Sequence, residues 1–175
     1  TSWIFTATPY IVFAATLAAG LLVPTFTSQT PLNIAGGIIV LVYLLALGTF
    51  FLILAGLDAG SAFGGMGSSR EAIVASLTEP AMILSIFAVA LTSGSTNIST
   101  IVHKTALLEG IVTDPVPHLM ALAALCIVAL AETGRVPVDN PATHLELTMI
   151  HEAMVLEYSG RYLALLEWAC GMKLV

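Results

Sequence analysis

Four stretches of this chain run for about twenty residues with almost no charge: Thr8 to Phe26, Ile34 to Leu57, Ala72 to Gly94 and Pro115 to Ala131. A hydrocarbon layer about 30 Å thick is crossed by roughly 20 residues of helix. Inside it every backbone N–H and C=O must be bonded within the chain, so only helices and closed barrels span it. The stretches lack the alternating pattern of barrel strands. The chain is therefore expected to be all-α, a polytopic transmembrane helix bundle. The last stretch is slightly short, and Glu79-Pro80 interrupts the third. A fifth span is expected from near Val155, giving about four to five spans with a long acidic helical loop before the last. Ala14 with Ala18, and Ala15 with Ala19, repeat small residues at a spacing that lets helix backbones approach closely.

Composition agrees: 58% of residues are hydrophobic, 9% are charged, and the mean hydropathy is +0.99. A soluble domain carries about 25% charged residues. The net charge of -6 has the wrong sign for nucleic-acid binding or for a peripheral helix held on anionic lipid. Cys126 and Cys170 stand far apart, with no CxxC pair to hold zinc, haem or an iron–sulfur cluster. Any redox metal is expected on a partner, and no metal site is expected on this chain. The absence of a starting methionine at Thr1, and an end at Val175 just after an apolar run, read as an internal fragment of a longer subunit. Residues 1–175 are expected to form a single membrane domain.

Two connections differ in character. Residues 58–70, DAGSAFGGMGSSR, read as a flexible or ligand-lining turn from Asp58 to Arg70, and they match neither a phosphate loop nor a dinucleotide fingerprint. Ser95 to Asp114 reads as a solvated loop, with a short interfacial helix over IVHKTALLEGIV as the alternative. Lys104 and Lys173 would fall opposite Arg70 and Arg135, so the positive-inside rule sets no orientation.

Function concentrates between Ala131 and Gly160, where five acids, two histidines and an arginine crowd an otherwise apolar chain. Intramembrane charges cost about 2.5–3.5 kcal/mol each on insertion scales, so such a cluster is a functional hypothesis. Asn140-Pro141 is a good helix start, with an asparagine to cap and a proline at the first helical position, and the pattern predicts a helix through Glu157. On that helix His144, Thr148, His151 and Glu152 share a polar stripe, while Glu146 and Glu157 fall within the apolar arc, about 16 Å apart. A carboxylate in an apolar interior either pairs with a base or becomes able to take and release protons near neutrality. Arg135 is the local counter-ion for Glu132 and Asp139, and a purely structural ion-pair network is the competing reading. Glu79, inside its span and next to a proline that frees backbone carbonyls, adds another intramembrane acid. Glu79, Glu132, Glu146 and Glu157 thus form a candidate proton path. Arg70, Arg135 and Asp139 are candidate structural ion pairs; Asp58, His144, His151 and Glu152 are weaker candidates. His151-Glu152 does not begin HExxH, because Val155 stands where the second histidine would be.

The motif ETGRVPVDNP, followed by LE and then EYSG, resembles the family that holds subunit 1 of respiratory NADH dehydrogenase (complex I) and the membrane subunit of group 4 NiFe hydrogenases, including formate hydrogenlyase subunit 4. GLDAGSAFGGMGSSREAI with Glu79-Pro80 is similar to the hydrogenase branch in particular. By matching position, the resemblance assigns Glu132, Arg135 and Asp139 to the E-R-D signature, Glu146 to the last acid of the acidic loop, Glu157 to EYSG, and Arg70 and Glu79 to the arginine loop and the membrane glutamate after it. Complex I carries further glutamates at Ala142 and His144 and a shorter gap before EYSG, which weighs against quinone binding here.

The resemblance implies a non-catalytic membrane subunit of a proton-translocating oxidoreductase complex in the cell's inner (plasma) membrane, with the acidic segment 134–157 on the cytoplasmic side. It would anchor a NiFe hydrogenase module, with the NiFe centre and iron–sulfur clusters on partners. Those partners would be the hydrogenase large and small subunits, an iron–sulfur subunit and antiporter-like membrane subunits, within the lipid bilayer and without nucleic acid. The quinone-chamber subunit of NADH:quinone oxidoreductase is one alternative. A free-standing proton or solute transporter is another, and the lack of an inverted repeat counts against it.

Overall fold

The computed structural model describes residues 2–24, 37–107, 115–136, 138–139 and 150–173, and all regular structure among them is helical. The helices are α1 (Trp3–Leu22), α2 (Gly37–Asp58), α3 (Ala62–Ser93), α4 (Ile98–Ala106), α5 (Pro115–Glu132), α6 (His151–Val155) and α7 (Arg161–Met172). Four of them, α1, α2, α3 and α5, are long and apolar enough to cross a membrane. The predicted acidic helix from Asn140 lies mostly outside the described residues. At its far end the helix stops at Val155, and Leu156 and Glu157 form a turn closed by Tyr158 N–H on the Val155 carbonyl at 2.9 Å. The fifth long helix therefore starts at Arg161 instead of near Val155, after Gly160 with φ +56°.

Residues 58–70 are not a flexible turn. Ser61 caps α3 by accepting the Gly64 N–H at 3.1 Å, and α3 then runs 32 residues to a left-handed Gly94. Its glycines serve close packing. A Cβ on Gly67 would stand 3.0 Å from both the Ala153 Cβ and the Ile150 carbonyl oxygen, and one on Gly64 would stand 2.6 Å from the Gly56 carbonyl oxygen. Gly64 thus lets α3 approach α2, while Gly56 and Gly67, each 3.2 Å from Met154 Cγ by the same measure, form the seat on which α6 lies. Residues 98–106 form a helix instead of a solvated loop, capped by Asn97 and tied back by Lys104 Nζ, which donates to the Ser93 carbonyl at 2.7 Å.

The long helices pack in the order α7, α1, α2, α3, α5, with α6 inserted against α3 and α2. On α1 the packed face is Thr8, Val12, Ala15, Thr16 and Ala19, so of the two alanine pairs it is Ala15 and Ala19 that are buried. The main core joins Val12, Leu52, Ala55, Ile150, Met154, Val155, Tyr158, Leu166 and Ala169, drawing on α1, α2, α6 and α7 together. A five-residue helix has no stability alone. Burial of Ala153, Met154 and Val155 in this core holds α6 in place.

Two side-chain contacts fix the register of α3 against α5: Thr92 Oγ1 with His118 Nε2 at 3.2 Å, and Thr78 Oγ1 with Glu132 Oε1 at 3.5 Å. They are fourteen residues apart on both helices, so the pair runs antiparallel. Because Thr78 lies near the midpoint of α3, α5 ends halfway along its neighbour.

Candidate functional site

Where α5 stops, the chain turns back inside the bundle. Arg135 N–H reaches the Leu130 carbonyl at 3.0 Å and Gly134 N–H reaches Ala131 at 3.1 Å, a Schellman ending with Gly134 at φ +56°. Asp139 follows, 4% exposed, and its Oδ2 accepts the backbone N–H groups of Ile150 (3.3 Å) and His151 (3.0 Å). Asp139 is thus a helix-end acceptor rather than the ion-pair partner of Arg135, whose side chain is exposed. Non-helical backbone at bundle depth is tolerated where it is buried in protein or lines a cavity, and both conditions hold here.

The cavity is small, about 30 Å³, and lined by Glu71, Glu132, Asp139, His151, Cys170 and Lys173 among others. Glu132 holds Lys173 Nζ at 3.7 Å through Oε2, with both side chains mostly buried, and takes the Thr78 hydroxyl through Oε1. Burial pushes the His151 imidazole below its ordinary 6.5, and the Lys173 ammonium adds to the effect against the opposing pull of Glu167, Asp139 and Glu152. His151 is therefore neutral at pH 7. Its Nε2 is buried and has no hydrogen-bond partner among the described residues.

Of the residues singled out in the sequence, the structure brings Glu132, Asp139 and His151 together at this cavity. Glu79 is half-buried on α3 beside Thr78, adjoining Glu132 without lining the cavity. Arg70 is half-buried next to Glu71. Asp58, at the end of α2, and Glu152 are exposed. Glu157 is exposed as well, and not interior, because the helix that would have turned it inward ends two residues earlier. Glu146 and His144 lie outside the described residues.

Glu71 and Lys173 are the additions that sequence reasoning missed. Glu71 belongs to a stripe of α3, Ser68, Glu71, Ala75, Thr78, Met82 and Ser85, whose spacing of three and four residues is the mark of one helix face. Lys173 arrives from α7, which follows α1 in parallel: Tyr10 packs edge-on to Tyr162 and Phe13 against Trp168.

The chain matches the sequence profile described as NADH dehydrogenase over residues 1–175. It is 37% identical to hydrogenase-4 component C of Escherichia coli (strain K12), over 98% of this chain and 52% of that protein. It is 34% identical to formate hydrogenlyase subunit 4 of the same strain, over 98% and 54%. Against a subunit of the NADH-quinone oxidoreductase of Rhodospirillum rubrum the identity is 32%, over 93% and 46%. The chain spans about half the length of these relatives. A bundle with four helices long and apolar enough to cross a membrane, broken at an E-T-G-R turn and matched along its whole length, belongs to the NADH dehydrogenase subunit 1 family.

Proposed function

We propose that this chain is part of a membrane subunit of a proton-translocating respiratory oxidoreductase complex, anchoring a NiFe hydrogenase module in the plasma membrane and coupling its electron transfer to proton movement. The observation that carries the reading is the shared cavity: Glu71 from α3 and Glu132 from α5 line one small space together with Lys173. In a low-dielectric site the proton occupancy of a carboxylate follows its charged neighbours. A movement that separates Lys173 from Glu132 removes the cation that favours the ionised form, and one that restores the pair releases a proton. The higher identity to the two hydrogenase relatives supports the hydrogenase branch. In this reading the hydrogenase large and small subunits and an iron–sulfur subunit carry the NiFe centre and the clusters, and antiporter-like subunits adjoin the bundle.

The test is Glu132→Gln and Glu71→Gln in the intact complex reconstituted in liposomes. Proton translocation is expected to fall by at least about tenfold, as for loss of a positioned proton-transfer group. If hydrogen turnover and translocation both stay at the unmodified level, the coupling role is wrong. Protection of the chain by a quinone-site inhibitor would instead favour a quinone-chamber subunit.

A further inference from the structure

His151 Nε2 is the feature of the cavity that the proposed function leaves unused. It is buried, it has no partner among the described residues, and it belongs to a residue lining a space of about 30 Å³. A water molecule needs roughly 10–15 Å³ of such space, together with two or more polar partners. The partners are on the page. The acceptors are Glu71, Glu132 and Asp139, the donor is the Lys173 ammonium, and His151 offers either role according to its tautomer. The backbone that carries the ring is fixed, since Asp139 holds its N–H and Ala153 and Met154 seat the helix.

We propose that His151 is a positioning residue that holds a water molecule between Glu71 and the Lys173–Glu132 pair. The inference rests on the coupling role proposed above for its consequence, and not for the water itself. Glu71 on α3 and the ion pair at the end of α5 line the same space that this water would occupy. With it, a hydrogen-bonded chain runs from one to the other. The neutral imidazole suits this task, because it can anchor a water without adding a second cation beside Lys173. The burial and the ammonium that lower its proton affinity keep it in that state.

The experiment uses the intact complex with its full-length membrane chain, unmodified and as His151→Gln and His151→Phe. A cryo-EM map that resolves ordered waters is expected to show one within hydrogen-bond distance of His151 Nε2 and of an acidic side chain. It should persist in His151→Gln and be missing in His151→Phe. In liposomes His151→Phe is expected to lose at least about tenfold in proton translocation, the scale of a misplaced reactive group, and His151→Gln to recover most of it. An empty cavity in the unmodified complex, or Nε2 bonded directly to a protein atom, overturns the proposal, as does His151→Phe translocating at the unmodified rate while Glu132→Gln is impaired. If Glu132→Gln is also unimpaired, the coupling role has failed instead, and the water density alone decides the assignment of His151. Should His151→Phe not assemble, the density in the unmodified and His151→Gln complexes is sufficient to decide it.

Discussion

Tyr158 donates its hydroxyl to the backbone carbonyl of Phe5 at 2.9 Å, and its ring stacks on that of Phe5 with centroids 4.0 Å apart and planes 3° from parallel. The carbonyl is the one that α1 cannot satisfy itself. Pro9, four residues on and buried inside the helix, has no N–H to give it. The tyrosine of EYSG thus repairs a proline-made gap in the first span and ties the turn between α6 and α7 to α1.

Tyr158→Phe keeps the stack and leaves the Phe5 carbonyl unpaired, at an expected loss of about 1–3 kcal/mol. Pro9→Ala supplies a new N–H, so Tyr158→Phe is expected to lose less in that background, with a coupling of about 0.5–3 kcal/mol. Thermal unfolding of the protein in detergent measures both. Burial also pushes the Tyr158 phenol from 10.0 to about 12, against a smaller lowering by Thr8. Since the folded value is raised, this contribution is full below pH 10 and lost as the pH climbs towards about 12, and Tyr158→Phe removes that alkaline limb.

His151 gives the opposite limb. Its folded pKa lies below the ordinary 6.5, so the stability it contributes is present above pH 6.5 and is lost as the pH falls from there through the folded value. Unfolding midpoints recorded down an acid series should drop, and His151→Gln should flatten the part of the drop that this group causes.

Two neighbouring glycines on α3 separate packing from propensity. A methyl on Gly67 meets the Ile150 carbonyl, which has no flexible end to yield, so Gly67→Ala is expected to displace α6 at a cost of about 1–3 kcal/mol. Gly65 faces open space, so Gly65→Ala should gain about 0.5–1 kcal/mol from helix propensity. Equal effects on the melting temperature would contradict the seat.

Asp139→Ala leaves the Ile150 and His151 N–H groups without their acceptor and should cost about 1–3 kcal/mol, while Asp139→Asn, which keeps an oxygen, should cost less. If Arg135 were the true partner of Asp139, Arg135→Ala would match Asp139→Ala. The expected result is a much smaller loss, because the Arg135 side chain is exposed.

The four spans were legible because apolar length with almost no charge is a sufficient signal, and Gly94 and Gly134 mark the ends of α3 and α5 as the left-handed residue a helix ending needs. The start of α3 was not. Glycine and serine between Asp58 and Arg70 have the composition of a turn, and only the approach of α2 and α6 turns those small residues into a reason for helix. Glu71 is hidden by the same reading, since it falls between a turn ending at Arg70 and a span starting at Ala72 and so has no helix face to share. Lys173 reaches Glu132 from forty-one residues away, a meeting set by the parallel packing of α7 on α1 and by nothing local. Asp139 was recognised as important but given the wrong partner, because nearby charge in sequence says little about which backbone N–H groups a fold leaves bare.

Because α6 is too short to persist undocked, the wall that carries Asp139 and His151 is assembled or dismantled in one event. The chamber is a cooperative unit whose existence is an equilibrium of its own. Amide protons of Ile150 and His151, held by one carboxylate oxygen, should then exchange with a common opening free energy below that of the surrounding spans. A partner that stabilises or releases the glycine seat would set how often the chamber is there at all.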